Sequence, residues 1–255
     1  CRSLEKLALG TQCQLMLHDD LVKKMCRHFG TTLQVLDLSN CNETDMETLT
    51  LEMIQLMVDS FSQLKEINFR SSEFDFLSEE SLDYMSNNLS ETVVKVGLSG
   101  QGNLRYKHIS ALVNRCSKLT SLDLNRCDGI RNQSLTKIIE SLKFSLEELD
   151  ISGTNIDSAK ILELQSMSRL KLLICSDFED IFALQGLLPN LTIELCDRIN
   201  IASSSSMMPE SSFQQDLQLE EGFWEIDAKQ LELFKSARRD NDKSFDVSVL
   251  EYENL

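Results

Sequence analysis

Eight short stretches of this chain share one spacing of apolar residues. The pattern LxxLxL, or a weakened form of it, begins at Leu4 (LEKLAL), Leu33 (LQVLDL), Leu64 (LKEINF), Val93 (VVKVGL), Leu119 (LTSLDL), Leu146 (LEELDI) and Leu170 (LKLLIC), with a stub at Leu191 (LTIEL). Successive starts lie 29, 31, 29, 26, 27, 24 and 21 residues apart. A period of this size marks an array of similar units. One unit is too small to bury its own apolar face and must stack on its neighbours.

A second period fills the gaps. Val22, Met25, Cys26 and Phe29 follow i, i+3, i+4, i+7, as do Ile54, Met57, Val58, Phe61, then Ile109, Leu112, Val113, Cys116, and Leu135, Ile138, Ile139, Leu142. Each set is one apolar stripe along a helix. Short strand plus amphipathic helix, iterated with most steps in or near the 20 to 29 residues of leucine-rich repeats, predicts an α/β leucine-rich-repeat solenoid. Its curved parallel sheet lies inside and its helices outside, with about seven to eight repeats over residues 1–195. Each fully buried Leu or Ile of the pattern contributes about 1.5 to 3 kcal/mol before conformational entropy is subtracted.

Strand geometry then separates scaffold from surface. Successive side chains point to opposite faces, so if the fourth and sixth positions go inward, the third, fifth and seventh face the concave side. The candidate partner-binding residues on that face are Asp37, Glu66, Asn68, Arg70, Lys95, Ser121, Asp123, Asn125, Glu148, Asp150, Ser152 and Ser176, with the flanking Arg126. The centre of the stripe is largely acidic. A solvated face would look the same, but the concave array is where solenoids usually hold partners.

Charge narrows the partners. Lys plus Arg number 25 against 41 Asp plus Glu, a net charge of −16, which disfavours nucleic acid and anionic membrane and favours basic proteins or peptides. No apolar run reaches the roughly 18 residues of a membrane span, and a cytoplasmic or nuclear location is expected. The eight cysteines form no CxxC pair and mostly recur at fixed places in the apolar pattern, so they read as small buried hydrophobes. His18, His28 and His108 lie in different repeats and read as surface histidines. No metal or other cofactor is expected, and no catalytic residue. A GTPase-activating role would need a placed arginine, and nothing marks Arg126 or Arg131 for it.

Residues 196–255 read as a separate C-terminal tail. ASSSSMMPESS, Ala202 to Ser212, has the composition of a flexible linker. A docking segment follows at 217–233, where Phe223, Trp224 and Ile226 stand in polar surroundings and would pack on the solenoid itself or on a partner. A short helix could run through Leu231 and Phe234. At the other end, Cys1-Arg-Ser-Leu4 has the spacing of Cys116-Ser-Lys-Leu119, so the chain is expected to be a piece of a longer protein.

CSKLTSLDLNRC, Cys116 to Cys127, resembles the cysteine-containing repeats of the F-box/leucine-rich-repeat proteins. ETVVKVGLSG (Glu91 to Gly100), HISALVNRCSKLTSLDL (His108 to Leu124) and LLPNLTIELC (Leu187 to Cys196) are similar, in order and spacing, to repeats of one subfamily. GFWEI, Gly222 to Ile226, resembles the tryptophan-bearing segment that folds back beneath the concave sheet there. The resemblance implies a non-catalytic substrate receptor of an SCF (cullin-RING) ubiquitin ligase. The repeats and tail would hold a protein substrate for ubiquitination and proteasomal degradation, in some members with a small accessory adaptor. An F-box outside these residues would hold the Skp adaptor and cullin. The other reading is a stand-alone repeat scaffold or inhibitor that binds a basic partner without ubiquitin.

Overall fold

A computed structural model describes residues 4–9, 19–39, 49–71, 76–176, 181–196 and the backbone of 223–225. Its strands are β1 (Lys6–Ala8), β2 (Val35–Asp37), β3 (Glu66–Asn68), β4 (Lys95–Gly97), β5 (Ser121–Asp123), β6 (Glu148–Asp150), β7 (Leu172–Cys175), β8 (Thr192–Leu195) and β9 (Phe223–Glu225). Seven helices intervene: α1 (Asp19–Phe29), α2 (Leu51–Ser60), α3 (Glu79–Asn88), α4 (Tyr106–Arg115), α5 (Asn132–Leu142), α6 (Ser158–Ile161), which runs into a 3-10 turn at Leu162–Ser166, and α7 (Ile181–Leu187). All strands pair in parallel in the order β8-β7-β6-β5-β4-β3-β2-β1-β9. The shortening of the sequence period toward the C-terminus has its cause here, since the ten- and eleven-residue helices α1 to α5 give way to shorter ones.

The pairing register stacks like on like. Leu7, Leu36, Ile67, Val96, Leu122, Leu149, Leu173 and Ile193 are successive partners across β1 to β8. All but the half-buried Ile193 belong to the core. On the helix side, Val22, Ile54, Ile109, Leu112, Leu135 and Ile138 are buried against this column, whereas Phe29 and Val58 pack at its margin. Thr50 and Ser78 start α2 and α3 by accepting the Met53 and Ser81 N–H groups at 3.2 and 3.1 Å, as N-caps do. Cys26, Cys116, Cys127 and Cys175 are buried free thiols, and Cys127 Sγ donates to the Leu98 carbonyl at 3.0 Å.

Burial pushes the Cys26 and Cys116 thiols up to about 11, and the Cys127 thiol further still. Thiolate is the reactive form. Site-resolved alkylation of native protein at neutral pH is therefore expected to spare these three while labelling the half-buried Cys196; rapid labelling of Cys127 would contradict its place in the core.

The turns leaving β4, β5 and β6 each hold a left-handed residue. Gly100, Arg126 and Gly153 hold that place in consecutive repeats, with φ of 81°, 56° and 68°. A Cβ on Gly100 would stand 2.1 Å from the Ser71 carbonyl oxygen, so Gly100→Ala should cost about 2 kcal/mol from strain and clash together. Arg126→Gly, relieving the same strain in an open site, should leave stability equal or slightly higher. Thermal melts of the two variants check both signs.

The tail aromatics were expected to dock. The backbone of Phe223–Glu225 adds β9 to the free edge of β1, with Trp224 opposite Leu7. It therefore extends the plane of the sheet, where the resemblance implied a position beneath the concave face. Ile226, the Ser-rich linker and the stretch through Leu231 and Phe234 lie outside the described residues.

Candidate functional site: the concave face

Because the strands pair in register, their outward residues form three rows across the sheet. The first runs through Glu66, Lys95, Ser121 and Glu148; the second through Asp37, Asn68, Gly97, Asp123 and Asp150. The third, just beyond the strand ends, holds Ser39, Arg70, Ser99, Asn125, Ser152 and Ser176. The expected residues thus do share one face.

Their exposure differs from expectation. Asn68, Ser121, Asp123, Asp150 and Ser152 are buried; Asp37, Glu66, Arg70, Lys95, Asn125, Glu148 and Ser176 are half-buried, and Arg126 alone is exposed. Facing the concave side does not leave these residues open to solvent, for a local reason. In the second row the side chain turns back onto its own strand. Asp37 Oδ1 accepts the Ser39 N–H at 2.8 Å, Asn68 Oδ1 that of Arg70 at 3.0 Å, Asp123 Oδ1 that of Asn125 at 2.9 Å, and Asp150 Oδ1 that of Ser152 at 2.9 Å. The third row is cross-linked as well. Ser99 Oγ donates to Asn125 Oδ1 at 3.2 Å, Asn125 Nδ2 donates to Ser152 Oγ, and Ser176 Oγ accepts the Gly153 N–H at 3.1 Å. With strands about 4.8 Å apart, these short side chains shield one another.

The electrostatics concentrate at β5 and β6. Asp123 and Asp150 are register partners, and burial raises both carboxyls above the ordinary range, Asp150 to about 7 with a further push from Asp123. Arg70 acts on both in the opposite sense. Beside them, Ser121 Oγ and Glu148 Oε2 are buried atoms without a hydrogen-bond partner among the described residues. In the neighbouring pairing of the first row, Lys95 Nζ lies 3.8 Å from Glu66 Oε1.

A second polar cluster, unforeseen in the sequence, lies on the helices. Lys107 Nζ bridges Glu79 at 2.7 Å and Asp83 at 2.8 Å, and His108 Nε2 lies 3.0 Å from Asp83 Oδ1. His108 is buried, a correction to its reading as a surface residue. Its apolar setting lowers its pKa, and its Nδ1 accepts the Arg105 N–H at 3.0 Å, so it serves the N-terminus of α4 as Glu or Gln serves a capping box. The signal for this was the i, i+4 acid pair one repeat before a Lys-His pair. Among the described residues, Glu79, Asp83 and His108 are the one trio close enough for a metal ion. The chemistry does not suit one. With Nδ1 occupied as an acceptor, the neutral ring carries its proton on Nε2, the atom a metal would need. The Lys107 ammonium already pairs with both carboxylates.

A leucine-rich-repeat family model matches residues 115–138, the unit from the end of α4 through β5 into α5. No curated protein matches the sequence. Among solved structures, the leucine-rich repeat-containing protein LegL7 from Legionella pneumophila is 15% identical with a TM-score of 0.35, over 84% of this chain and 90% of that one. No helix among the described residues is long and apolar enough to cross a membrane. The chain folds as a leucine-rich-repeat solenoid, and arrays of this kind are generally non-catalytic and bind proteins.

Proposed function

We propose that this chain is the substrate-holding part of an SCF (cullin-RING) E3 ubiquitin ligase, most similar within the F-box/leucine-rich-repeat family to S-phase kinase-associated protein two. The observation that carries the reading is the order of the repeats: the stretches resembling that subfamily fall on β4, on α4 with β5, and on α7 with β8, each in its place in one solenoid. The face they build is polar, mixed in charge and pre-organised by its own hydrogen bonds, which suits protein recognition. The work of such a part is proximity. Holding a substrate raises the effective concentration of its lysines near the charged ubiquitin-conjugating enzyme.

Tagged full-length gene product should co-purify with the Skp adaptor and a cullin. Arg126→Glu, placed on the exposed rim, should reduce recovery of ubiquitinated substrate several-fold and leave the adaptor bound. A full-length product that encodes no F-box and recovers no cullin overturns the ligase reading and leaves a stand-alone protein-binding scaffold.

A further inference from the structure

We infer that Ser121, Asp123, Glu148 and Asp150 form a pocket on the concave face that receives an arginine side chain from a protein partner. The inference rests on the reading of that face as the partner surface and adds the chemistry of what it takes. Ser121 and Asp123 leave β5 on the same side, with Glu148 and Asp150 of β6 directly opposite them in register. Four acceptor-bearing side chains therefore stand on two adjacent strands. Ser121 is 1% exposed, and among the described residues neither its Oγ nor the buried Oε2 of Glu148 has a hydrogen-bond partner. Buried polar atoms in folded proteins are nearly always satisfied. Two orphans beside two desolvated carboxyls signal a missing donor.

The donor's nature follows from the spread of the acceptors. These carboxylates do not gather closely enough for a metal ion, as Glu79, Asp83 and His108 do. Arg70 influences Asp123 and Asp150 without a direct ion pair to either among the described residues. A guanidinium carries five donors in a planar fork and suits acceptors distributed over two strands, whereas an ammonium is a compact point charge. Half-buried Glu148 and Asn125 form the solvent side by which it enters, and the net charge of −16 favours its approach.

Titration of the full chain with blocked arginine amide, followed by carbon-13 NMR of the side-chain carboxyls, tests this directly. Signals of Asp123, Asp150 and Glu148 should shift saturably, and the midpoint of the aspartate pair should fall by about one pH unit, the mark of a tenfold preference for its ionised form. Blocked citrulline amide, of equal shape and no charge, should shift nothing. Asp123→Asn combined with Asp150→Asn should abolish the response while keeping the fold, since Asn68 already makes the same turn. Silence at these carboxyls, equal shifts with citrulline, or an undiminished response in the double variant each overturns the pocket. No ligase component enters this titration, so it can fail while cullin co-purification succeeds, and the reverse.

Discussion

Gln101→Leu should destabilise the protein by about 4 kcal/mol, the sum of three buried backbone groups left unpaired at roughly 1 to 3 kcal/mol each and partly relaxed. Gln101 is fully buried. Its Oε1 accepts the N–H groups of Phe76 and Leu77 at 3.1 and 3.0 Å, and its Nε2 donates to the Phe69 carbonyl at 3.1 Å. One side chain thus ties the turn after β4 to the exit of β3 and the approach to α3. Leucine has similar volume, so packing alone predicts little change; the hydrogen bonds decide. Urea unfolding should show a lower midpoint with an unchanged slope. A loss under about 1 kcal/mol would mean that water or another group satisfies those three positions.

That residue shows where sequence reading stopped. SGQGN, Ser99 to Asn103, is too short for a phosphate-binding loop and is not followed by Lys-Ser or Lys-Thr, and its Gln is long-range glue whose partners lie 24 to 32 positions away. Nothing in a one-dimensional pattern marks them. The scaffold was legible, because burying Leu122 or Ile138 depends only on periods of 2 and 3.6 that survive in the letters. The concave rows were legible as positions, since register follows from the repeat. Their burial was not. Whether Asp37, Asp123 or Asp150 points to solvent or back to its own strand depends on the turn that follows, and the left-handed φ of Arg126 is hidden by a residue that seldom adopts it. The aligned triplet Gly100, Arg126, Gly153 would have disclosed it. For His108 the surface default failed because a cap three residues into a helix draws the ring inward.

Asp150→Asn should stabilise the protein by about 3 kcal/mol at about pH 8 and by almost nothing near pH 4, an inversion of the usual cost of altering a buried, hydrogen-bonded acid. Burial, then the neighbouring Asp123, raises the Asp150 carboxyl from 3.8 to about 7, while the Ser152 N–H and Oγ and Arg70 pull it back. In that window the folded protein holds more protons than the unfolded chain. The contribution to stability is complete below the ordinary carboxyl pKa and is lost as pH rises through about 7. Asparagine keeps the acceptor for Ser152, as Asn68 does for Arg70, and has no charge to desolvate. His108 works in the opposite sense. Its lowered pKa gives stability that is present above the ordinary imidazole value and disappears as pH falls, and Asp83 and Glu147, held low chiefly by their lysine partners, likewise lose theirs in acid. Those groups are common to both proteins and cancel in the difference. The readout is therefore the gap between variant and wild type in urea midpoint across pH, which should open from about pH 4 to about pH 7 and level off above that. A gap independent of pH would show that Asp150 is ionised throughout, with Arg70 compensating its burial, and the same result would remove the driving force for an arginine entering beside it.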